Sequence, residues 1–376
     1  MGREKSIIGH LVGGRFQIVE FIGEGGMGEV YRGIQTPLNT SVAIKVLKRE
    51  HAKDEKMVAR FRREVRSTSQ IQHRNVVGIL DSGQLDDGRL YLVMEYIQGE
   101  SLVELLDEVE SLPVERAVRF MIQIADGIAA AHRHNLMHRD LKPENILRLQ
   151  SEDGSDVVKI LDFGLAKMVE SDNPEDKITM SGEVFGTPVY MSPEQCLGGD
   201  LDLTTDIYSF GALAFEILTG EPPFDAPNIV AIMLAHKNEK PRVPSQVYAE
   251  GGIPKELDDL ILRCLSKSPQ ERFENGMALA AELRRIQDVL TRKRVGAPAD
   301  LPAFKRLPSA EISSLGSGTS LTGEEIYSMV QQRLRDRLRG VADMLRQLGQ
   351  LHPNHGMGLA QLSAHEDTIA HLKQEE

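Results

Sequence analysis

The sequence has no tryptophan and only two cysteines, Cys196 and Cys264, in 376 residues. The two thiols lie far apart without CxxC or Cys/His ligand spacing, which excludes a disulfide framework and a cysteine-built metal site and fits a reducing compartment, the cytoplasm. No run approaches the ~20 apolar residues that span a bilayer. The longest candidate, residues 207–218, carries Ser209 and Glu216 and reads as a buried helix. Residues 1–5 lack the apolar stretch of a secretory signal, and Gly2 with Ser6 is a weak match to an acylation signal. Positive charge is in deficit: 44 Lys and Arg against 56 Asp and Glu leave a net charge of −12, which argues against a nucleic-acid footprint over the whole chain. Aromatic residues are sparse at 5%, yet 41% hydrophobic and 27% charged residues exclude collagenous and mostly disordered classes. The length predicts two or three folding units at roughly 150 residues each.

What is present falls into regions of different character. Residues 16–47 alternate in short runs of Val, Ile, Phe and Tyr broken by glycines and Pro37, the pattern of antiparallel strands and hairpins. Over 54–71, Met57, Val58, Phe61, Val65 and Ile71 fall at helical spacing, and two strand-like runs follow at 76–80 and 90–94. After Gly99, residues 113–134, 204–219, 255–265 and 275–290 carry helical periodicity. The chain is thus read as an α+β protein in which a small β-rich lobe (16–97) precedes a larger helical lobe (98–294), after a short extension at 1–15. Residues 295–323, dense in Pro, Gly and Ser, read as a flexible linker. In the tail at 324–376, Tyr327, Leu334, Leu338, Val341, Leu345 and Leu348 recur at alternating threes and fours, apart from one double step. That is either a coiled-coil or partner helix or one that folds back on the body, and two to three heptads do not separate these.

Three motifs carry chemistry. Gly23-Glu24-Gly25-Gly26-Met27-Gly28-Glu29-Val30 lacks side chains where backbone amides could approach phosphate oxygens. A dinucleotide-binding glycine run opens a helix, whereas here Val30-Tyr31-Arg32 continues as strand, so a hairpin flap over phosphates fits better, with a plain glycine turn as the bland alternative. Val42-Ala43-Ile44-Lys45 places a lysine on an apolar strand, where it needs anionic partners; phosphate oxygens are one source and Glu64 on the amphipathic segment another. The third motif, His138-Arg139-Asp140-Leu141-Lys142-Pro143-Glu144-Asn145, is the most specific.

Together with Asp162-Phe163-Gly164 and Ser192-Pro193-Glu194, these runs resemble, in order and spacing, the signatures of eukaryotic-like (Hanks-type) serine/threonine protein kinases of the bacterial branch, over residues 16–290. The resemblance implies a two-lobed protein-kinase fold, an antiparallel β-rich small lobe and a mainly helical large lobe. It implies that Asp140 accepts the substrate hydroxyl proton, that Lys142 neutralises the γ-phosphate, and that Lys45, held by Glu64, grips the α- and β-phosphates of ATP. Asn145 and Asp162 would hold Mg²⁺, with Mn²⁺ as a substitute. Gly23, Gly25 and Gly28 would cover the phosphates, Ile22, Val30 and Ala43 would roof the adenine, and Leu147 would floor it. Met94 would gate the pocket, and the backbone of Glu95 and Ile97 would meet the base. Glu194 with Arg272 resembles a buried scaffold ion pair, and Asp206 a brace for the catalytic loop. Ser192 and Ser268 depart from the family's usual Ala and Asp without touching the chemistry.

Between Gly164 and Ser192 the segment is rich in Asp, Ser and Thr, as in a loop that orders on demand. By resemblance, Thr179 and Ser181 are candidate autophosphorylation sites whose phosphates pair with Arg139, and Thr187 belongs to the substrate pocket. The expectation is an ATP-dependent kinase acting on Ser/Thr hydroxyls of protein substrates, switched on by its own loop. Small-lobe pairing or the tail helix would supply a homodimer contact. One alternative is a silent nucleotide-binding scaffold signalling through the tail, and none of Lys45, Glu64, Asp140, Asn145 or Asp162 is replaced as such scaffolds usually show. Another is a kinase for small molecules, against which the extended segment 186–194 suggests a peptide platform.

Overall fold

The computed structural model describes residues 7–52, 55–151, 153–163 and 188–296. Thr179, Ser181 and Thr187, nearly all of the expected linker and the tail at 324–376 lie outside the described residues.

β1 (Leu11–Val12), β2 (Phe16–Gly25), β3 (Gly28–Gln35) and β4 (Thr40–Leu47) join β5 (Ile79–Gln84) and β6 (Leu90–Glu95) in one antiparallel sheet of order β1-β2-β3-β4-β6-β5. Alternation sorts the side chains of β4. Val42, Ile44 and Val46 pack with Phe16, Ile18 and Val93 in one apolar layer. Ala43 and Leu47 face the other layer, with Phe61 and Val65 of helix α1 (Glu55–Thr68). Lys45 has the parity of Ala43 and Leu47, so the strand period delivers it to the side that α1 covers. The strand expected at 76–80 is displaced, beginning at Ile79 and running to Gln84. Val77 N–H donates to Ile160 O at 3.0 Å and Ile160 N–H to Asn75 O at 2.9 Å, which ties this stretch to the large lobe before the sheet strand begins.

The large lobe opens with β7 (Glu100–Ser101), α2 (Leu102–Val109) and α3 (Val114–His132). β8 (Ile146–Gln150) and β9 (Asp156–Ile160) form a small sheet with β7. Then come α4 (Pro193–Cys196), α5 (Leu203–Thr219), α6 (Ile229–Asn238), α7 (Pro244–Val247), α8 (Lys255–Cys264) and α9 (Gly276–Gly296), the last running six residues past the expected end. Phe120, Ile124 and Ile128 of α3 and Phe210, Leu213 and Phe215 of α5 are buried with Ile261 and Leu283 in one core. Each such side chain contributes roughly 1.5–3 kcal/mol on leaving water, so the core forms a firm base for the loops on its edge.

Local chemistry sets the helix ends. Asp202 Oδ1 accepts the Thr204 N–H at 2.8 Å to start α5, and Gly220, at φ 79, closes it by donating to Glu216 O at 2.8 Å. Ser192 caps α4, exchanging bonds with Gln195 (3.0 and 3.3 Å), which gives the family departure at this position a structural use. Among the described residues, no helix is long and apolar enough to cross a membrane.

Candidate active site

The loop between α3 and β8 carries the most specific motif, and buried polar groups hold it. The Asp206 carboxylate, fully buried near the start of α5, accepts the N–H groups of His138 at 2.8 Å and Arg139 at 2.9 Å. His132 Nε2 lies 2.9 Å from the same carboxylate, while His132 Nδ1 accepts the Gly276 N–H at 3.1 Å, so a neutral ring with its proton on Nε2 satisfies both ends. Burial would raise the Asp206 carboxyl, but the hydrogen bond from His132 and the Arg139 N–H outweigh it and hold the carboxyl below its usual range. Arg139 sits at φ 68, a left-handed conformation that a non-glycine residue keeps only where its surroundings enforce it. Its carbonyl accepts from Gln195 Nε2 at 2.7 Å.

This places Asp140. Its Oδ2 lies 2.9 Å from Lys142 Nζ and 3.3 Å from Asn145 Nδ2, and Asn145 Nδ2 also donates to Asp140 O at 2.7 Å. Carboxylate, ammonium and amide thus meet within six residues of sequence. His138 accepts the Asp140 N–H on Nδ1 at 3.2 Å, its Nε2 lies 2.7 Å from Leu161 O, and its ring meets buried Phe163 edge-on, with centroids 4.7 Å apart. The next residue in chain, Asp162, is the second non-glycine residue of the site at positive φ, 58°.

Lys45 Nζ forms an ion pair with Asp162 Oδ2 at 2.6 Å across 117 residues. The partner anticipated from the family pattern was Glu64. Among the described residues the ion pair at Lys45 is with Asp162, while Glu64, 4% exposed on α1, has Arg63 Nη2 at 3.6 Å. A mostly buried ammonium takes the anion within reach, and Asp162 supplies it. α1 reaches the same strand end through Thr68 Oγ1, which donates to Phe163 O at 3.3 Å.

The glycines of the β2–β3 hairpin divide into two kinds. A Cβ added at Gly23, Gly25 or Gly26 meets nothing within 4 Å, whereas one at Gly28 runs into the Val46 carbonyl. Gly28 is therefore demanded by the sheet, and packing does not demand the others. Below the hairpin, Ala43 pairs with Met94 across β4 and β6, Val30, Ile97 and Leu147 are half-buried, and Ile22 is 49% exposed. The Glu95 N–H donates to Gly78 O at 2.9 Å, so a base at this edge would meet the Glu95 carbonyl rather than its amide. Lys159 Nζ, 2.7 Å from Glu95 Oε2, fixes that side chain.

Arg272, 2% exposed, satisfies its fork completely. Nη1 donates to Glu194 Oε1 at 2.8 Å and Thr204 O at 3.0 Å, Nη2 to Glu194 Oε2 at 2.9 Å and Lys267 O at 3.2 Å, and Nε to Ser266 O at 2.8 Å. The 3₁₀ turn Pro188–Tyr190 is pinned where Tyr190 OH donates to Glu216 Oε2 at 2.6 Å and Ser209 Oγ to Tyr190 O at 2.8 Å. Burial raises both the Tyr190 hydroxyl and the Glu216 carboxyl, and Glu144 beside them adds to the rise. The contacts of His132, Gln195, Tyr190 and Glu216 leave no signal in the sequence, because each acts across 26 or more residues. Among the described residues no three His, Cys, Asp or Glu side chains cluster as a metal cage. A cation here would rest on the oxygens of Asp162 and Asn145 plus those of a phosphate ligand, a donor set that suits a magnesium–nucleotide complex.

The small antiparallel sheet, the helical lobe and this constellation are those of the protein-kinase class. Residues 16–283 match the family model described as protein kinase domain, and the chain belongs to that family, which implies use of ATP and a divalent metal. It is 37% identical to the serine/threonine-protein kinase pkn3 of Myxococcus xanthus, with 84% of this chain and 59% of that protein covered. It is 34% identical to PrkC of Bacillus subtilis (88% of this chain, 49% of that protein) and 37% identical to PknL of Mycobacterium tuberculosis (77% and 70%). The chain therefore spans half to three fifths of the length of the first two relatives. Among solved structures, the kinase domain of M. tuberculosis PknI superposes with a TM-score of 0.58 at 23% identity, over 74% of this chain and 99% of that one, which shows the fold.

Proposed function

We propose that the chain is an ATP-dependent serine/threonine protein kinase. The observation that carries the reading is the joint placement of Asp140, Lys142 and Asn145 in hydrogen-bonding reach of one another, on a loop held by Asp206, beside the Lys45–Asp162 pair. Bound with Mg²⁺, ATP supplies the phosphoryl group and the cations screen its charge. Asp140 orients the acceptor hydroxyl and takes its proton as the oxygen bonds to Pγ and the bond to the β-phosphate oxygen breaks, releasing ADP. Lys142, already on the Asp140 carboxylate, sits where it can neutralise charge on the transferred group. Asn145, its amide nitrogen committed to Asp140, offers Oδ1 to a metal ion together with the Asp162 carboxylate. Lys45 passes from Asp162 to the α- and β-phosphates, and Glu64 then becomes its carboxylate partner. Gly23 and Gly25 leave their space to phosphate oxygens, with adenine between Ile22, Val30, Ala43 and Leu147, beside Met94, Glu95 and Ile97.

Serine/threonine specificity is supported by Lys142-Pro143-Glu144-Asn145 and by the names of the relatives at 34–37% identity. The stretch 186–194 serves as the acceptor-peptide platform. In this reading a phosphate on Thr179 or Ser181 pairs with Arg139 and autophosphorylation switches the enzyme on, supported by the arginine immediately before Asp140. The two free cysteines fit a cytoplasmic setting. Incubation of the full chain with Mg-ATP and phosphosite mapping by mass spectrometry, beside Asp140→Asn, tests this. We expect phosphate on Thr179 or Ser181 in the parent and a rate lower by about 10²–10⁴ in the variant at unchanged ATP affinity. ATP binding without phosphate in either protein would overturn the reading in favour of a scaffold.

A further inference from the structure

A buried guanidinium stands behind the glycine hairpin, and the chemistry above does not use it. Arg89, 6% exposed and just ahead of β6, donates through Nε to Asp87 Oδ2 at 2.8 Å, and its main-chain N–H donates to Asp87 Oδ1 at 3.0 Å. Asp87 thus orients the fork by two bonds, and Nη1 lies 3.6 Å from Glu29 Oε2. The same Glu29 oxygen accepts the Tyr31 hydroxyl at 2.8 Å. The Tyr31 ring meets Phe21 of β2 edge-on, with centroids 5.6 Å apart, so the cluster grips both strands of the hairpin.

The register of the β2–β3 ladder gives the reason for a cation here. Glu29 lies directly opposite Glu24, on the same face, where two carboxylates repel. The next residue, Val30, lies opposite Lys45, the group read above as gripping the phosphates. Without Arg89 the hairpin would carry two like charges side by side at the end nearest a triphosphate. The second limb of the hairpin is fixed in two further ways: the Lys48 N–H donates to Met27 O at 3.1 Å, and Gly28 fits against the Val46 carbonyl. A Cβ at Gly23, Gly25 or Gly26 meets nothing within 4 Å, so the first limb and the tip stand in open space. A free tip on a fixed limb is placed by whatever orients that limb, and Arg89 reaches it at Glu29.

We propose that Arg89 is a positioning residue for the nucleotide phosphates, acting through Glu29. It neutralises the carboxylate that faces Glu24 and holds the second strand so that the glycine tip lies over the phosphates. Arg89 itself touches no reacting atom, and the inference rests on the kinase reading above.

Calorimetric titration of the full chain with the Mg²⁺ complex of a non-hydrolysable β,γ-imido analogue of ATP, beside adenosine, tests it. Arg89→Met keeps the stem and removes the charge, so the Kd of the analogue should rise about tenfold while that of adenosine stays within about twofold, because only the phosphates lie under the tip. Adding Glu29→Gln to Arg89→Met removes the uncompensated carboxylate and should recover part of that loss, which a packing role for Arg89 would not produce. A parental analogue Kd in Arg89→Met, an equal loss for adenosine, or a double variant no tighter than Arg89→Met would overturn the proposal. If Arg89→Met does not fold, Tyr31→Phe, which deletes the hydroxyl on the same Glu29 oxygen, decides: a raised analogue Kd at a parental adenosine Kd supports the proposal, and any other result overturns it. A parent that binds neither ligand takes down the kinase reading and this inference together, whereas a parent that binds both, with an indifferent Arg89→Met, takes down the inference alone.

Discussion

Asp206→Asn is the sharpest perturbation the site offers, because it changes one oxygen to nitrogen at constant volume in a fully buried position. If the Asn oxygen stays toward His138 N–H and His132 Nε2, its Nδ2 faces the Arg139 N–H, donor against donor. A buried N–H left unpaired costs about 1–3 kcal/mol. The remaining bonds fall from charge-assisted to neutral, at roughly half the strength. A loss of about 2–4 kcal/mol follows, or about 5–15 °C in Tm for a domain of this size. The strained Arg139 is the residue released, and Asp140 follows it in sequence, so phosphoryl transfer should fall by roughly 10²-fold from a displacement of about an ångström. The Lys45–Asp162 pair shares no partner with Asp206, so ATP affinity should stay within about twofold. Calorimetry of the full chain, nucleotide titration and single-turnover transfer measure all three. A Tm within about 2 °C of the parent, or ATP affinity falling in step with turnover, would refute the reasoning.

Glu194→Gln leaves the Arg272 charge buried without its carboxylate and should destabilise the chain by about 3–5 kcal/mol in urea unfolding. Burial alone would raise the Glu194 carboxyl, yet the hydrogen bonds and charge of Arg272 hold it below its ordinary value of 4.5. A folded-state value below the unfolded one gives stability that is complete above about pH 4.5 and lost as pH falls through the folded value, so Glu194→Gln should flatten the acid limb of the stability profile; an unchanged limb would contradict the pairing. Gly28→Ala should lower Tm because its Cβ meets the Val46 carbonyl, whereas Gly25→Ala should keep Tm and weaken ATP binding; the same Tm loss in both would erase the distinction. A Thr179→Ala/Ser181→Ala double variant should bind ATP as the parent does and transfer phosphate at least about tenfold more slowly, and full activity would remove the loop phosphates from the switch.

Legibility followed distance along the chain. Asp140, Lys142 and Asn145 lie within six residues, so their spacing alone brings them into mutual reach once the loop has its shape. The alternation of β4 was equally readable, and it carried Lys45 to the correct side of the sheet. Readable spacing faltered where backbone partners came from elsewhere: residues 75–77 bond Ile160 rather than entering the sheet, and the strand starts three residues later than its apolar run suggests.

By itself the sequence determined the small β-rich lobe, the helical lobe and the short motif runs proposed to meet nucleotide and acceptor, because strand and helix periods and short motifs are local properties. The tertiary structure decided which buried charge meets which. It set Lys45 on Asp162 while Glu64 lies buried on α1, gave Asp206 the ring of His132 from 74 residues away, and assembled Lys267, Tyr208 and His236 into one buried polar chain. The physical reason is that a charge or polar group removed from water must find a partner among whatever packing brings near, and packing joins residues that no spacing in the chain connects.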